Sequence, residues 1–343
     1  MPGHLQRVPG RRQAPGAVRP WPRRHRGANL ETGTLTPEAE TMSAPVTVGL
    51  DDSPESRAAV EWAAREALLR GLPLKIVHVE EPAPVRLAQS PLWDPGAYRD
   101  RAERMVRESV EGVRLRHPGV EVTGERRSGT AADLLGEAAG RAGLLVLGSR
   151  GHSALSGFLV GSVSLAVVAR AERPVVLVRA GEQAADEHMM DPAGVPSAAA
   201  PFRPVVLGLD VDAPDDTLLE FAFAAAALRE APLRAVHAWW VAPTSFHGFY
   251  GDDDLYDSLA RGQADHLATV LRPWRRKFPD VDVTEATRCG SAAQILVDDA
   301  RDDASLVVVG RRIRTRPLGA HIGHVTHAAL HHIAAPVAVV PHG

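Results

Sequence analysis

The chain has 343 residues, of which 45% are hydrophobic and 5% aromatic, and its net charge is −3 at pH 7. The negative charge argues against nucleic-acid binding by the whole chain, and no apolar segment approaches the ~20 residues that would span a bilayer. The single cysteine, Cys289, excludes an intramolecular disulfide framework, so we expect a cytoplasmic protein.

Residues 1–43 differ in composition from the rest of the chain. Proline, glycine and arginine dominate, and the first 41 residues hold seven arginines against three glutamates. Without a periodic apolar face, this composition predicts a disordered basic extension. Two interpretations stay open: a basic arm that touches an anionic partner, or residues that precede the true start of the protein at Met42.

Strand and helix signals alternate from Val46 onwards. The apolar run 46–50 predicts a strand, after which Ser53 and Pro54 offer an N-cap and a first helical residue for a helix that stops near Arg70. Further strands are predicted at 75–79, 120–126, 144–148 and 174–179, and further helices at 97–117, at 131–142 and up to about 170. This alternation predicts right-handed crossovers and a doubly wound parallel α/β sheet.

A glycine-rich segment follows the strand at 144–148. It reads Gly148-Ser-Arg-Gly151, then nine residues, then Gly161-Ser162. Glycine lets a bulky anion approach the main chain, and the amides at the start of the next helix supply fixed positive dipoles, so the segment can hold a phosphate tail. It is not a Walker A loop, because no Gly-Lys-Ser/Thr occurs. The pattern therefore indicates phosphate binding and not phosphoryl transfer.

The pattern Gly-x2-Gly-x9-Gly-Ser, closed downstream by the strand Pro174-Val-Val-Leu-Val-Arg179, resembles the ATP-binding universal stress proteins. The segments Val46-Thr-Val-Gly-Leu-Asp51 and Ile76-Val-His-Val79 resemble the family's first two strands. The resemblance implies Rossmann-like domains of the adenine nucleotide alpha hydrolase-like type, each with a five-stranded parallel sheet of order 3-2-1-4-5 and helices on both faces. It also implies ATP as the ligand, with Mg²⁺ as a possible companion.

The chain repeats itself with a period of about 160 residues, which is too long for a solenoid and indicates two copies of one domain. Val205-Val-Leu-Gly-Leu-Asp210 echoes the first strand, and Leu306-Val-Val-Val-Gly310 echoes the strand before the glycine-rich segment. The predicted domains are residues 44–180 and 204–343, joined by a linker at 181–203 that need not pack. The resemblance implies an intramolecular pseudo-dimer paired through the fifth strands, while a homodimer of the whole chain stays open.

Strand order decides which motifs share a site. With the order that the resemblance implies, the sheet reverses between its first and fourth strands, and ligands bind outside the carboxyl ends of strands at such a point. Asp51 and Gly148 should then face one crevice, with Asp51 either accepting hydrogen bonds from the ligand or fixing the loop, and with Asp52 as a competitor for that role. The predicted nucleotide-binding residues are Gly49, Leu50, Asp51, Val79, Leu147, Gly148, Arg150, Gly151, Gly161, Ser162, Val163 and Ser164.

These residues have different expected roles. Val79 and Leu147 would contact the base, the glycines would permit close approach of the backbone, and Arg150 would add a charge. The hydroxyl groups of Ser162 and Ser164 would donate hydrogen bonds to phosphate oxygens.

The second copy keeps the spacing of the motif but loses its chemistry. Ile313 stands where the second glycine belongs, and His324 follows Gly323 where the hydroxyl belongs. Because isoleucine resists positive φ and would fill space meant for a phosphate, we expect no nucleotide in this half. The basic run 311–316 offers arginines for an anion or a solvated loop, and we expect no metal site among the histidines at 321–332.

The resemblance therefore implies a nucleotide-dependent stress-response module with an unidentified protein partner. The alternative is a nucleotide-independent interaction or scaffold protein, in which the glycine-rich segment persists as structure only. No general base or Walker lysine is identifiable, so catalysis would be limited to slow ATP hydrolysis.

Overall fold

A computed structural model describes residues 44–82, 90, 94–149, 160–240, 253–301, 303–313 and 322–343, and all structural statements refer to these residues. Strands and helices alternate in the first half as the sequence predicts. Its elements are β1 (Val46–Leu50), α1 (Pro54–Arg70), β2 (Leu74–Glu80), α2 (Pro95–Arg116), β3 (Val122–Ser128), α3 (Ala131–Arg141), β4 (Leu144–Ser149), α4 (Ser162–Arg170) and β5 (Val175–Arg179).

The second half repeats this succession of elements. They are β6 (Val205–Gly208), α5 (Asp216–Leu228), β7 (Leu233–Trp239), α6 (Asp253–Lys277), β8 (Val283–Cys289), α7 (Ala292–Ala300), β9 (Leu306–Arg312), α8 (His324–His332) and β10 (Val337–His342). Within the described ranges, no helix combines the length and the apolar character needed to cross a bilayer.

All ten of these strands form one sheet in the order β3-β2-β1-β4-β5-β10-β9-β6-β7-β8. Pairing is parallel inside each half, and the halves join through an antiparallel contact in which Val176 of β5 lies opposite Ala338 of β10. The predicted α/β architecture with two tandem domains is confirmed. In each half the direction of winding reverses beside the first strand, which leaves a crevice at the carboxyl ends of β1 and β4 in the first half and of β6 and β9 in the second.

Helix α1 illustrates how local sequence fixes an element that borders this crevice. Ser53 caps its start by accepting a hydrogen bond from the Ser56 amide at 3.1 Å, and Gly71 ends it in the left-handed region with φ of 63°. Small residues such as Ala59 and Ala63 are fully buried against the sheet. The alanine-rich face lets α1 pack closely and brings its N-terminus beside the ends of β1 and β4.

The segment between the halves packs against α1, although its composition did not require it to pack. A short 3-10 helix, Ala184–Glu187, places Glu187 where it accepts hydrogen bonds from Trp62 Nε1 at 2.6 Å and Arg65 Nε at 3.1 Å. Glu182 accepts a hydrogen bond from Arg65 Nη2 at 2.6 Å. Its two glutamates, Glu182 and Glu187, both accept hydrogen bonds from Arg65 on α1.

Glu182 should make stability depend on pH. Burial, reinforced by the neighbouring charge of Glu187, raises the pKa of Glu182 from 4.5 to about 7, although Arg65 opposes the shift. Because its pKa is higher in the folded state than in the unfolded chain, its contribution to stability is fully present below about pH 4.5 and is lost as the pH rises through about 7. We therefore expect Glu182→Gln, which keeps an acceptor for Arg65 without a charge, to flatten the decline in melting temperature between about pH 5 and pH 8.

Thermal unfolding of the full chain across this pH range checks the expectation. Glu137→Gln is the matched control, because Glu137 is an exposed carboxyl whose hydrogen bond from Arg127 lowers its pKa, so it stays ionised throughout the range. An unchanged slope in the Glu182 variant would contradict the assignment.

Candidate functional site

A cavity of about 110 Å³ lies at the carboxyl ends of β1 and β4. Most of the predicted site residues line it, namely Gly49, Leu50, Asp51, Val79, Leu147, Gly148, Val163 and Ser164. The structure therefore brings together the aspartate that follows β1 and the glycine near the end of β4. Arg150 and Gly151 lie outside the described residues.

The apolar wall of the cavity is larger than the sequence predicted. Val77, Leu135 and Ala131 line it in addition to Val79 and Leu147. Val77 was recognisable in the sequence, because residues two apart on a strand share a face and Val79 was already assigned. Leu135 had no such signal, since only the packing of α3 against β4 shows that it reaches the cavity. A wall of this kind suits a flat apolar group.

Asp51 fixes the loop between β1 and α1. Its Oδ1 accepts hydrogen bonds from the Ser53 hydroxyl at 2.5 Å and the Ser53 amide at 3.1 Å, and its own amide donates to Ser56 Oγ at 3.2 Å. Burial raises the pKa of Asp51, but the hydrogen bonds from Ser53 and Ser56 outweigh that effect and lower it below its usual value. An ionised carboxylate therefore stands at the cavity as a hydrogen-bond acceptor.

Asp52 has a separate role, although the sequence left it as a competitor of Asp51. Its backbone lies in the left-handed region with φ of 67°, and its carboxylate pairs with Arg57 at 2.5 Å and Arg101 at 3.2 Å. These ion pairs tie the start of α1 to α2 over a neighbouring groove. Asp51, and not Asp52, therefore lines the cavity.

Packing within the protein requires the glycine at position 148 and leaves little space beside Gly49. A Cβ on Gly148 would lie 2.7 Å from the backbone of Glu55 and Ser56, so β4 approaches the first turn of α1 too closely for any side chain. A Cβ on Gly49 would lie 2.7 Å from the Leu147 side chain. The structure thus gives these glycines a packing reason that does not involve a ligand.

Helix α4 begins beside the cavity, which its first-turn residues Val163 and Ser164 line. Gly161 is the N-cap, with φ of −63° and ψ of 146°, and it has no side chain to accept hydrogen bonds from the first-turn amides. Ser162 is exposed at the first helical position. Amides and the positive end of the helix dipole at this point favour an anion.

Ser164 makes a different contact from the one predicted for it. Its buried hydroxyl donates to the Gly148 carbonyl at 2.9 Å, which ties α4 to the end of β4. Thr326 makes the same bond to Gly310 at 2.9 Å in the second half. Since both halves keep this bond and only one keeps the glycine motif, the bond belongs to the fold. Ser162 remains the hydroxyl available at the helix start.

The second half has a larger cavity at the corresponding place, of about 480 Å³. Ile313 does not fill it as expected, because its side chain is 41% exposed and its amide donates to the His342 carbonyl at 2.7 Å. The backbone pairing of β9 with β10 extends to Arg312 and His342, and this bond lies next to that last pair. The two cavities therefore differ in chemistry, with His324 at the helix start where the first half has Ser162.

Three of the basic and histidine residues of the second half, Arg311, His327 and His331, make contacts within the protein. Arg311 is buried and donates to the Ala171 carbonyl in the first half, so it is not free to hold an anion. The rings of His327 and His331 stack with centroids 4.2 Å apart. Across the described part of the chain, no three His, Cys, Asp or Glu side chains are grouped to hold a metal ion.

Comparisons of the sequence with known proteins agree on one family. Residues 42–179 and 201–341 each match the sequence profile of the universal stress protein family. Universal stress protein Rv1996 of Mycobacterium tuberculosis is 30% identical over 319 residues, which cover 88% of this chain and 96% of that protein. Universal stress protein Rv2005c of the same organism is 32% identical over 311 residues, covering 86% of this chain and 96% of its own length.

A solved structure shows the same fold. The universal stress protein from Archaeoglobus fulgidus DSM 4304 superposes with a TM-score of 0.59 at 14% sequence identity, covering 87% of this chain and 98% of its own. The sequence profile and the identity to Rv1996 extend over most of the chain. The chain therefore belongs to the universal stress protein family, with one family domain in each half.

Proposed function

We propose that the protein binds ATP in its first half and acts as a nucleotide-dependent regulatory module of the stress response. One observation carries the proposal: a cavity with an apolar wall and an ionised aspartate lies beside the N-terminus of a helix that begins with Gly161 and Ser162. Apolar walls, an acceptor and an anion site are the three elements that an adenine nucleotide needs.

The volume of the cavity indicates which part of the ligand it would hold. At about 110 Å³ it is smaller than the roughly 300–1,000 Å³ of pockets that enclose a whole ligand. The base would therefore occupy the cavity between Val79, Leu135 and Leu147, with Asp51 as an acceptor for ribose hydroxyls. The phosphates would extend to the start of α4, where Ser162 and the first-turn amides would bind them.

The assigned residues supply binding groups without an identified catalytic base. Mg²⁺ would accompany the triphosphate, with phosphate oxygens and water as its natural ligands. Bound ATP would favour one conformation of the binding site over another. A protein partner that binds the two conformations with different affinities would then respond to ATP. Such regulation requires binding alone.

Titration of the full chain with ATP in an isothermal calorimeter tests the proposal. We expect saturable binding of one ATP per chain, because the second half has Ile313 and His324 in place of motif residues. Absence of binding by folded protein would overturn the proposal and favour the nucleotide-independent scaffold. Two equivalent sites per chain would contradict the assignment to the first half, and mass spectrometry of nucleotide released from native protein would distinguish ATP from AMP.

A further inference from the structure

Two buried arginines cross the boundary between the halves. Arg179 of β5 donates from Nε to the Ile333 carbonyl at 2.6 Å and from Nη2 to the Leu330 carbonyl at 2.9 Å. In the opposite direction, Arg311 of β9 donates from Nη2 to the Ala171 carbonyl. Each half thus extends a guanidinium group into the other.

The carbonyls that these arginines contact belong to the C-termini of two corresponding helices. Ala171 is the C-cap of α4, and Leu330 and Ile333 lie at the end of α8. The last carbonyls of a helix lack partners inside the helix and carry the negative end of its dipole, so a cation there stabilises the helix. Each half therefore caps the helix that begins beside the other half's cavity.

This reciprocal capping is not a copy of one repeated residue. When Gly148 is matched with Gly310, Ser149 stands where the second half has Arg311, and Ser149 Oγ donates within its own half to Val178 at 3.3 Å. Arg179 in turn corresponds to Pro341. The guanidinium at the end of α4 is therefore supplied by the second half, which lacks the second glycine and the serine of the glycine motif.

We propose that Arg311 is a positioning residue for the phosphate contacts of the first-half site, supplied in this way by the degenerate second half. The inference rests on the proposed function, because it assumes that phosphates bind at Gly161 and Ser162. Helix α4 has nine residues and is roughly 13 Å long, so its two ends belong to one short rigid element. Because the effect of a charge on the helix dipole falls off within the last turn, Arg311 would act by holding α4 in position and not through its own field at the phosphates.

The experiment compares ATP with adenosine, which has the same base and ribose but no phosphates. In full-length Arg311→Met we expect ATP to bind about threefold to tenfold more weakly, with adenosine affinity unchanged. Arg179→Met is the matched control, since it removes an equally buried guanidinium that caps the C-terminus of α8 and not that of α4. It should leave ATP affinity within about twofold of wild type. Arg311→Lys keeps a cation near Ala171 and should restore most of the ATP affinity.

Each result decides for or against the inference. ATP affinity unchanged in Arg311→Met would overturn it, and equal losses for ATP and adenosine would show a merely structural role. Loss of ATP affinity in Arg179→Met to the same degree would also contradict it. If Arg311→Met fails to fold, Arg311→Gln takes its place with the same expectation. Wild-type protein that binds no ATP would instead overturn the proposed function, and the wild-type titration separates that failure from the others.

Discussion

Replacing Glu66 by alanine should lower the free energy of unfolding by about 3–5 kcal/mol, because it leaves a buried guanidinium without its main counterion. Glu66 Oε2 lies 2.6 Å from Arg229 Nη2, and both side chains are 1% exposed. Glu66 Oε1 also accepts from Arg70 Nε at 2.7 Å. Burial alone would raise the pKa of Glu66, but the two arginines outweigh that effect and lower it, so the carboxylate is charged in the folded protein.

Urea unfolding of the full chain measures this effect. Glu220→Ala is the matched control, because Glu220 also lies on a helix and pairs with a cation, Lys277, but the two side chains are 45% and 55% exposed. Exposed pairs contribute about 0–1 kcal/mol, so the control should stay near wild type. Equal destabilisation by the two substitutions would show that burial of the Glu66 pair adds nothing.

The elements of the fold were predictable because their signals are local. Ser53 and Pro54 at the start of α1 and Gly71 at its end are adjacent in sequence to the turns that they control, and the observed helix begins and ends there. Strand ends were placed less accurately: β3 was predicted at 120–126 and runs from Val122 to Ser128. A strand end depends on its partner across the sheet, which a local pattern does not contain.

The interface between the halves was not predictable for the same physical reason. Glu66 and Arg229 are 163 positions apart, and Trp62 and Glu187 are 125 apart. On a helical pattern, Glu66 has the spacing of a surface residue that pairs with Arg70, which it does as well. Only the packing of α1 beside α5 turns this ordinary helix pair into a buried network.

The candidate site was only partly predictable from the sequence. The common location of Asp51 and Gly148 was predictable once the sheet order was assumed, because the carboxyl ends of adjacent parallel strands meet. The hydroxyl of Ser164 could not be assigned in this way, since its bond to Gly148 depends on the angle at which α4 meets β4. The spacing of the motif identified residues that lie at the cavity. It did not show which of their side chains make hydrogen bonds within the protein.

Replacing Gly161 by valine should weaken ATP binding about 100-fold or more, because it would cost about two charge-assisted hydrogen bonds of about 1.5–3 kcal/mol each at the start of α4. The backbone of Gly161, with φ of −63° and ψ of 146°, is one that valine adopts readily, so the fold should persist. The added methyl groups would occupy the approach that the phosphates need. Calorimetric titration with ATP measures the loss.

Gly323→Val provides the matched control for this change. Gly323 is the N-cap of α8 with φ of −59° and ψ of 154°, and a Cβ there would meet nothing within 4 Å. Both valines would stand at a helix N-cap with nearly the same backbone angles, one at the start of α4 and the other at the start of α8. If ATP binds the first half alone, Gly323→Val keeps wild-type affinity while Gly161→Val loses it. The reverse result would place the nucleotide in the larger second-half cavity, and equal losses would show that valine acts through the helix caps and not through the phosphate contacts.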